Sequence, residues 1–208
     1  MTMVIEGSSH LVAPAVRRSG GAGIRRVDGV RPTDGPGLRA LFDSCSPETV
    51  RLRFFGLLDE LPRDYVDGVL ACWPEVHDAV VAHRGDRSRL AGLASLAAPT
   101  GGGPGDAAVF CVLVADGRQR QGLGAAMVRA LLARAAARGV ERVTASVLPG
   151  RSGLLAALAR RAEVELESSS RDQDGLTGVY KLTQQVRWVP VRRCSSVCVG
   201  VRRGAGGQ

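Results

Sequence analysis

A chain of 208 residues, 45% hydrophobic and 23% charged, is long enough to bury a full-sized core and needs no disulfide or metal staple. Its formal charge is +8, but Arg187, Arg192, Arg193, Arg202 and Arg203 carry most of it within residues 186–208, so nucleic-acid contact is expected at most through that tail. The longest clean apolar run, Ala107 to Ala115, is far short of the roughly 18 residues of a membrane span, and Met1 to His10 lacks a basic signal-peptide start; a cytoplasmic chain without membrane contact is expected.

Residues 1–23, rich in Ser, Gly and Ala, read as a flexible lead-in. Ile24, Val27 and Val30 then mark a short strand, Pro32 and Gly35 a turn, and Asp34 a cap for a helix over Pro36 to Asp43 that presents Leu38, Leu41 and Phe42 on one face. Ser46 at the N-cap and Pro47 at the first helical position open a second helix, with Glu48 in its first turn and Gly56 as its stop. Pro62 opens a third, running through Tyr65, Val66, Val69 and Leu70 and ending before Pro74. The period then changes to two, giving strands over His77 to His83 and Leu90 to Ala97. A Gly-rich loop over Thr100 to Asp106 leads into the Ala107–Ala115 run, whose continuous apolar character predicts a buried central strand.

Asp116-Gly117 turns the chain into the strongest helix, with Met127, Val128, Leu131, Leu132 and Ala135 on one face and Gly139 as its C′ residue. A strand over Val140 to Leu148, a helix over Gly153 to Arg161 and strands over Val164 to Glu167 and Gly178 to Leu182 follow. This order predicts one α/β domain over 24–185 with a largely antiparallel, partly mixed sheet, followed by a basic, disordered tail over 186–208. Five cysteines without framework spacing argue against a disulfide scaffold. Cys194 and Cys198 lack a second ligand pair, so no metal is expected, and Cys72 and Cys111 read as buried free thiols. Lys181 is the only lysine and asparagine is absent, so the arginines reflect coding bias more than phosphate binding.

The junction over residues 112–125 carries the chemistry. A strand ends at Val114, a polar turn follows through Arg118, and Gln119-Arg120-Gln121-Gly122-Leu123-Gly124 opens the long helix. Glycines at a helix start let the backbone approach a bulky anion, while the unpaired N–H groups of the first turn and the helix dipole attract it. Arg118 and Arg120 add charge. The spacing is neither a dinucleotide fingerprint nor a Walker loop.

Gln119-x-x-Gly122-x-Gly124, set between strand and amphipathic helix, resembles the acyl-CoA motif of GNAT N-acetyltransferases, in which Gln or Arg precedes Gly by three positions and Gly or Ala by five. Ser46-Pro47-Glu48 with Leu52-Arg53-Phe54-Phe55 is similar to a block in GNAT domains of bacterial protein lysine acetyltransferases, with Arg51 where tyrosine is usual. Val147-Leu148-Pro149 and the following helix match a further family segment, so the resemblance covers about residues 24–185. It implies a mixed, mostly antiparallel sheet of six to seven strands flanked by four to five helices. It also implies acetyl-CoA as co-substrate, no metal, and an amine acceptor, either a small molecule or a protein lysine; a homodimer is common among members. Val112 and Val114 would pair with pantetheine, and Gln119, Arg120, Gln121, Gly122, Gly124 and Ala125 would line the pyrophosphate.

Three positions depart from the family. Val109 stands where relatives carry a basic glutamate, Arg151 where an asparagine contacts the cofactor, and the last helix has no tyrosine to serve as general acid. The catalytic residues are therefore unassigned. Glu75, Asp78 and Asp106 are substitutes that read more simply as solvated carboxylates, and Cys111 reads more simply as a packed thiol than as a nucleophile. His77 and His83 read as structural or exposed, and Tyr65 and Tyr180 as packing residues. The alternative to an enzyme is a catalytically degenerate domain that binds acyl-CoA and regulates a partner.

Overall fold

Strand-period alternation and apolar runs place seven strands among the described residues of the computed structural model, which are 25–84, 86–99 and 106–183. The lead-in over 1–23, nearly all of the Gly-rich loop, and the basic tail with Cys194 and Cys198 lie outside them. The strands are β1 (Arg25–Gly29), β2 (Asp78–Arg84), β3 (Asp86–Ala97), β4 (Ala108–Val114), β5 (Arg142–Val147), β6 (Val164–Arg171) and β7 (Leu176–Leu182). They form one sheet in the order β1-β2-β3-β4-β5-β7-β6. Every neighbouring pair is antiparallel except β4 and β5. That parallel pair has only two registered positions, Ala108 with Val143 and Val109 with Thr144, beyond which the strands part.

The helices among the described residues are α1 (Gly35–Asp43), α2 (Pro47–Phe54), α3 (Arg63–Leu70), α4 (Pro74–His77), α5 (Leu123–Ala137) and α6 (Ser152–Ala159). The period-two alternation of the strands divides the core into two layers. Val80, Ala82, Ala94, Leu96 and Phe110 pack with Met127, Leu131 and Leu132 of α5 and with Leu155 and Leu158 of α6. Val81, Leu93 and Leu113 pack on the other face with Leu38, Leu41 and Phe42 of α1, Val50 of α2, and Val66 and Val69 of α3. Each fully buried leucine contributes about 1.5–3 kcal/mol.

The expected mixed, mostly antiparallel sheet is present, and the helix number rises above the expected four to five because Pro74–His77 forms a short helical turn where a strand had been predicted to begin. Three local readings are corrected. Asp34 occupies the N-cap position of α1 but makes no side-chain cap bond there; its carboxylate accepts the Arg31 backbone N–H (2.8 Å) and closes the 3-10 turn over Pro32–Asp34. Helix α2 ends at Phe54, and its C-cap Phe55 rather than Gly56 takes the left-handed conformation (φ 61°), donating its N–H to the Arg51 carbonyl (2.9 Å). Cys72 and Cys111 are half-buried, not buried.

Candidate functional site

The loop between β4 and α5 has an unusual backbone. Arg120 (φ 56°) and Gly122 (φ 78°) both take left-handed conformations. Glycine adopts this geometry freely, whereas Arg120 pays a conformational cost that the loop must offset. Gly122 is the N-cap of α5 and supplies no side chain, so no side-chain acceptor caps the first turn, and the first intrahelical bond there runs from Ala126 N–H to the Gly122 carbonyl (3.1 Å). A Cβ at Gly124 would lie 3.8 Å from Val114 Cγ2 and 4.0 Å from Val112 Cγ1, ordinary contact distances. Packing alone therefore does not demand glycine there; its bareness leaves the helix start open.

A network from α2 fixes this loop. Asp116 accepts the Ser46 backbone N–H (2.7 Å), the Ser46 hydroxyl (2.9 Å) and the Thr49 hydroxyl (2.8 Å). The Ser46 backbone N–H above all, with the Thr49 and Ser46 hydroxyls, holds the Asp116 carboxyl below its ordinary range. The Ser46 hydroxyl also accepts the Thr49 N–H (3.3 Å), as its place at the N-cap predicts. Gln119 completes the latch, donating from Nε2 to the Thr49 hydroxyl (3.1 Å) and the Val114 carbonyl (3.2 Å). Gln121 donates to the Gly117 carbonyl (3.0 Å), while Arg118 and Arg120 are exposed at the same turn.

The strand edge beside the loop has no strand partner on the β5 side over its last residues, where the Val114 carbonyl accepts Gln119 Nε2. Ala115 N–H donates to the Ala91 carbonyl on the β3 side (3.1 Å). Backbone groups alternate sides along a strand, so Val112 and Val114 direct theirs toward β5, which has already parted from β4. An extended ligand can add itself there as a strand, with an anionic end seated on the first turn of α5. Val112, Val114, Gln119, Arg120, Gln121, Gly122, Gly124 and Ala125 thus lie along the cleft where β4 and β5 part, with the Gln119 side chain exposed and engaged in the latch. Across the mouth of that cleft, Arg151 after β5 reaches Glu48 of α2 (3.3 Å), which Arg51 also holds (2.9 Å).

At the other end of β4 the structure sorts the remaining candidates. Val109 is 44% exposed, in the last row before the strands part. Asp78 is buried and bound to Arg134 of α5 (2.6 Å) and to Arg138 just beyond that helix, so its carboxylate serves the fold. Glu75 and Asp106 are exposed. Cys111 pairs in register with the buried Ser95, whose hydroxyl meets the Tyr65 hydroxyl (3.1 Å). Tyr65 therefore does more than pack, whereas Tyr180 is buried and donates to the Leu155 carbonyl (3.1 Å). Sequence reasoning missed the Asp116–Thr49 latch, for which the Ser46-Pro47-Glu48 block was the available signal, and the grouping of Arg53, Tyr65 and His77 by α2, α3 and α4, for which there was none. Among the described residues no cluster of three or more His, Cys, Asp or Glu side chains could hold a metal ion, and no helix is long and apolar enough to cross a membrane.

A family model described as the acetyltransferase (GNAT) family matches residues 40–161, more than half of the chain. No curated protein matches it by sequence. Among solved structures, the GNAT domain of PAT from S. lividans superposes with a TM-score of 0.65 at 22% identity, over 76% of this chain and 90% of that one. An acetyltransferase of the GNAT family from Streptococcus pneumoniae gives 0.59 at 16% identity, over 76% and 99%. The protein yncA from Salmonella typhimurium, solved with its cofactor acetyl-CoA, gives 0.58 at 12% identity, over 80% and 98%. At these identities the likeness is one of fold.

Proposed function

This chain belongs to the acetyltransferase (GNAT) family, and on that premise we propose that residues 24–185 transfer an acetyl group from acetyl-CoA to an amine, with protein lysine as the acceptor class that the Ser46–Phe55 block favours. One observation carries the reading: the β4 edge at Val112 and Val114, which no strand pairs on the β5 side, runs directly into an α5 start that no side chain caps. Pantetheine pairs with that edge, and the pyrophosphate sits on the N–H groups of the Gly122–Ala125 turn, beside Arg120. Gln119 and Asp116 act indirectly, by holding the loop in shape. Holding the thioester at a fixed place beside the incoming amine supplies much of the rate through orientation alone.

Calorimetric titration of acetyl-CoA into the full chain, alongside Gly124→Glu, tests this. Wild-type binding is expected, and the variant should lose at least about 100-fold in affinity, because a carboxylate would occupy the anion's seat. CoA release is then measured against lysine peptides and small amines. Equal binding by the two proteins would remove the ligand from this loop, and CoA release only with small amines would discard the protein-lysine assignment.

A further inference from the structure

The sheet carries a transverse row at the closed end of the cleft. His77 bridges Ala97 on β3, Ala97 registers with Val109 on β4, and Val109 registers with Thr144 on β5 in the last row before the strands part. Partners opposite one another share a face, so His77, Ala97 and Val109 line the same surface. This surface is open: Val109 is 44% exposed and both Ala97 and His77 are partly exposed, whereas Ser95, one position over on that face, is covered beneath Tyr65. Only the methyl group of Ala97 stands between imidazole and valine. Two strand spacings separate the backbones of His77 and Val109 by about 10 Å.

The imidazole is seated by specific neighbours. It meets the Tyr65 ring edge-on (centroids 5.3 Å apart). Gly68 of α3 makes room for it, since a Cβ there would lie 3.1 Å from Nδ1. A glycine in a helix interior is destabilising relative to alanine, and accommodating this ring gives it a reason. Neither ring nitrogen is a buried atom without a partner, and the ring forms no side-chain hydrogen bond among the described residues, so solvent reaches it. The charges around it are Arg53 from α2, whose guanidinium stacks on the Tyr65 ring (5.1 Å), Asp78 next in the chain, and Glu75 on its own helix.

We propose that His77 is the general base for acyl transfer, taking the proton that the family's glutamate would take at position 109. The inference rests on the acetyltransferase reading above. An acceptor that has lost its extra proton to solvent attacks the thioester carbonyl. The N–C bond forms, the C–S bond breaks, and CoA leaves as thiolate. The remaining excess proton on nitrogen passes through one water to the neutral imidazole, which returns it to the thiolate or to solvent. Burial first, and Arg53 second, push the His77 pKa below its ordinary value, so the ring is neutral and able to accept at physiological pH.

The test is the pH dependence of kcat/KM in wild type, His77→Gln and the double variant His77→Gln with Val109→Glu, with acetyl-CoA affinity measured by calorimetry in each. Wild type should show an acid limb below the ordinary histidine range of about 6.5. His77→Gln should lose that limb and about 100-fold in kcat/KM while binding acetyl-CoA as before. Val109→Glu in the same background should restore activity with a carboxylate's pH profile, which a merely misfolded variant could not do. An unchanged limb in His77→Gln would overturn the assignment of the base alone. A wild type that binds acetyl-CoA yet acetylates nothing at any pH would overturn the base and the acyl-transfer reading together.

Discussion

The two ends of β4 are built from different material. At its C-terminal end the proposed site is made of backbone: an edge that no strand pairs on the β5 side, two left-handed residues and a helix start without a side-chain cap, all within residues 112–125. At the other end it is made of side chains brought from α2, α3 and α4 onto the row that ends at Val109. A backbone site tolerates wide sequence change provided its φ angles and bare positions are kept. A side-chain site can change one acid for one imidazole two strands away and leave no trace in any local pattern. The contrast predicts that the loop end is sensitive to whatever shapes the chain and the row end to whatever changes charge.

Asp116 offers the largest test of the first half of that statement. It lies outside the proposed anion seat, yet three donors from Ser46 and Thr49 converge on it, so Asp116→Ala should release the loop and weaken acetyl-CoA binding by about tenfold, measured by calorimetry. The KM for the acceptor should move little. A carboxyl held below its unfolded pKa contributes stability that is complete above the ordinary carboxylate value and is lost as pH falls through the folded one. Cofactor affinity in wild type should thus be flat through neutral pH as far as this latch is concerned, and fall only in acid. If Asp116→Ala binds acetyl-CoA as wild type does, the loop keeps its shape without α2.

Arg53 sharpens the second half. Its charge is one of the causes that lower the His77 pKa, after burial. Arg53→Gln should therefore move the acid limb of kcat/KM toward higher pH, while acetyl-CoA affinity stays unchanged and the loss of rate stays smaller than in His77→Gln. An acid limb that stays in place would mean that the group titrating in catalysis does not sense Arg53, and the row from His77 to Val109 would lose its claim to the chemistry.

The same difference in material explains what the sequence could disclose. The element order was legible because apolar periodicity is local, and the Gln119–Gly124 segment because helix-start glycines are local. Ser46 was readable as a cap, but its backbone N–H and hydroxyl also meet an aspartate 70 residues away, a long-range contact that local cap chemistry does not specify. Asp34 and Gly56 had the right residue types for a cap and a stop, yet Arg31 took the first carboxylate and Phe55 took the left-handed position one residue earlier. His77 was readable only as a histidine. Its meaning comes from a bridge to Ala97 and from the absence of a Cβ at Gly68, neither of which has a sequence period.

The smallest expected effect lies where the two kinds of site meet. Glu48 and Arg151 are joined at 3.3 Å across the cleft mouth, and both side chains are about half exposed. Exposed pairs are weak and screened by salt, so this one restrains the opening without sealing it. Glu48→Gln should speed acetyl-CoA association about two- to threefold at low ionic strength, with the gain vanishing as salt is raised, as stopped-flow binding would show. Removing an acid near a polyanion gives the same sign for a different reason, so Arg151→Gln is the deciding partner. If the pair acts as a strap, losing either member speeds entry. If Arg151→Gln instead slows entry and weakens binding, the arginine contacts the cofactor itself, and the change from the family's asparagine has substituted one contact for another.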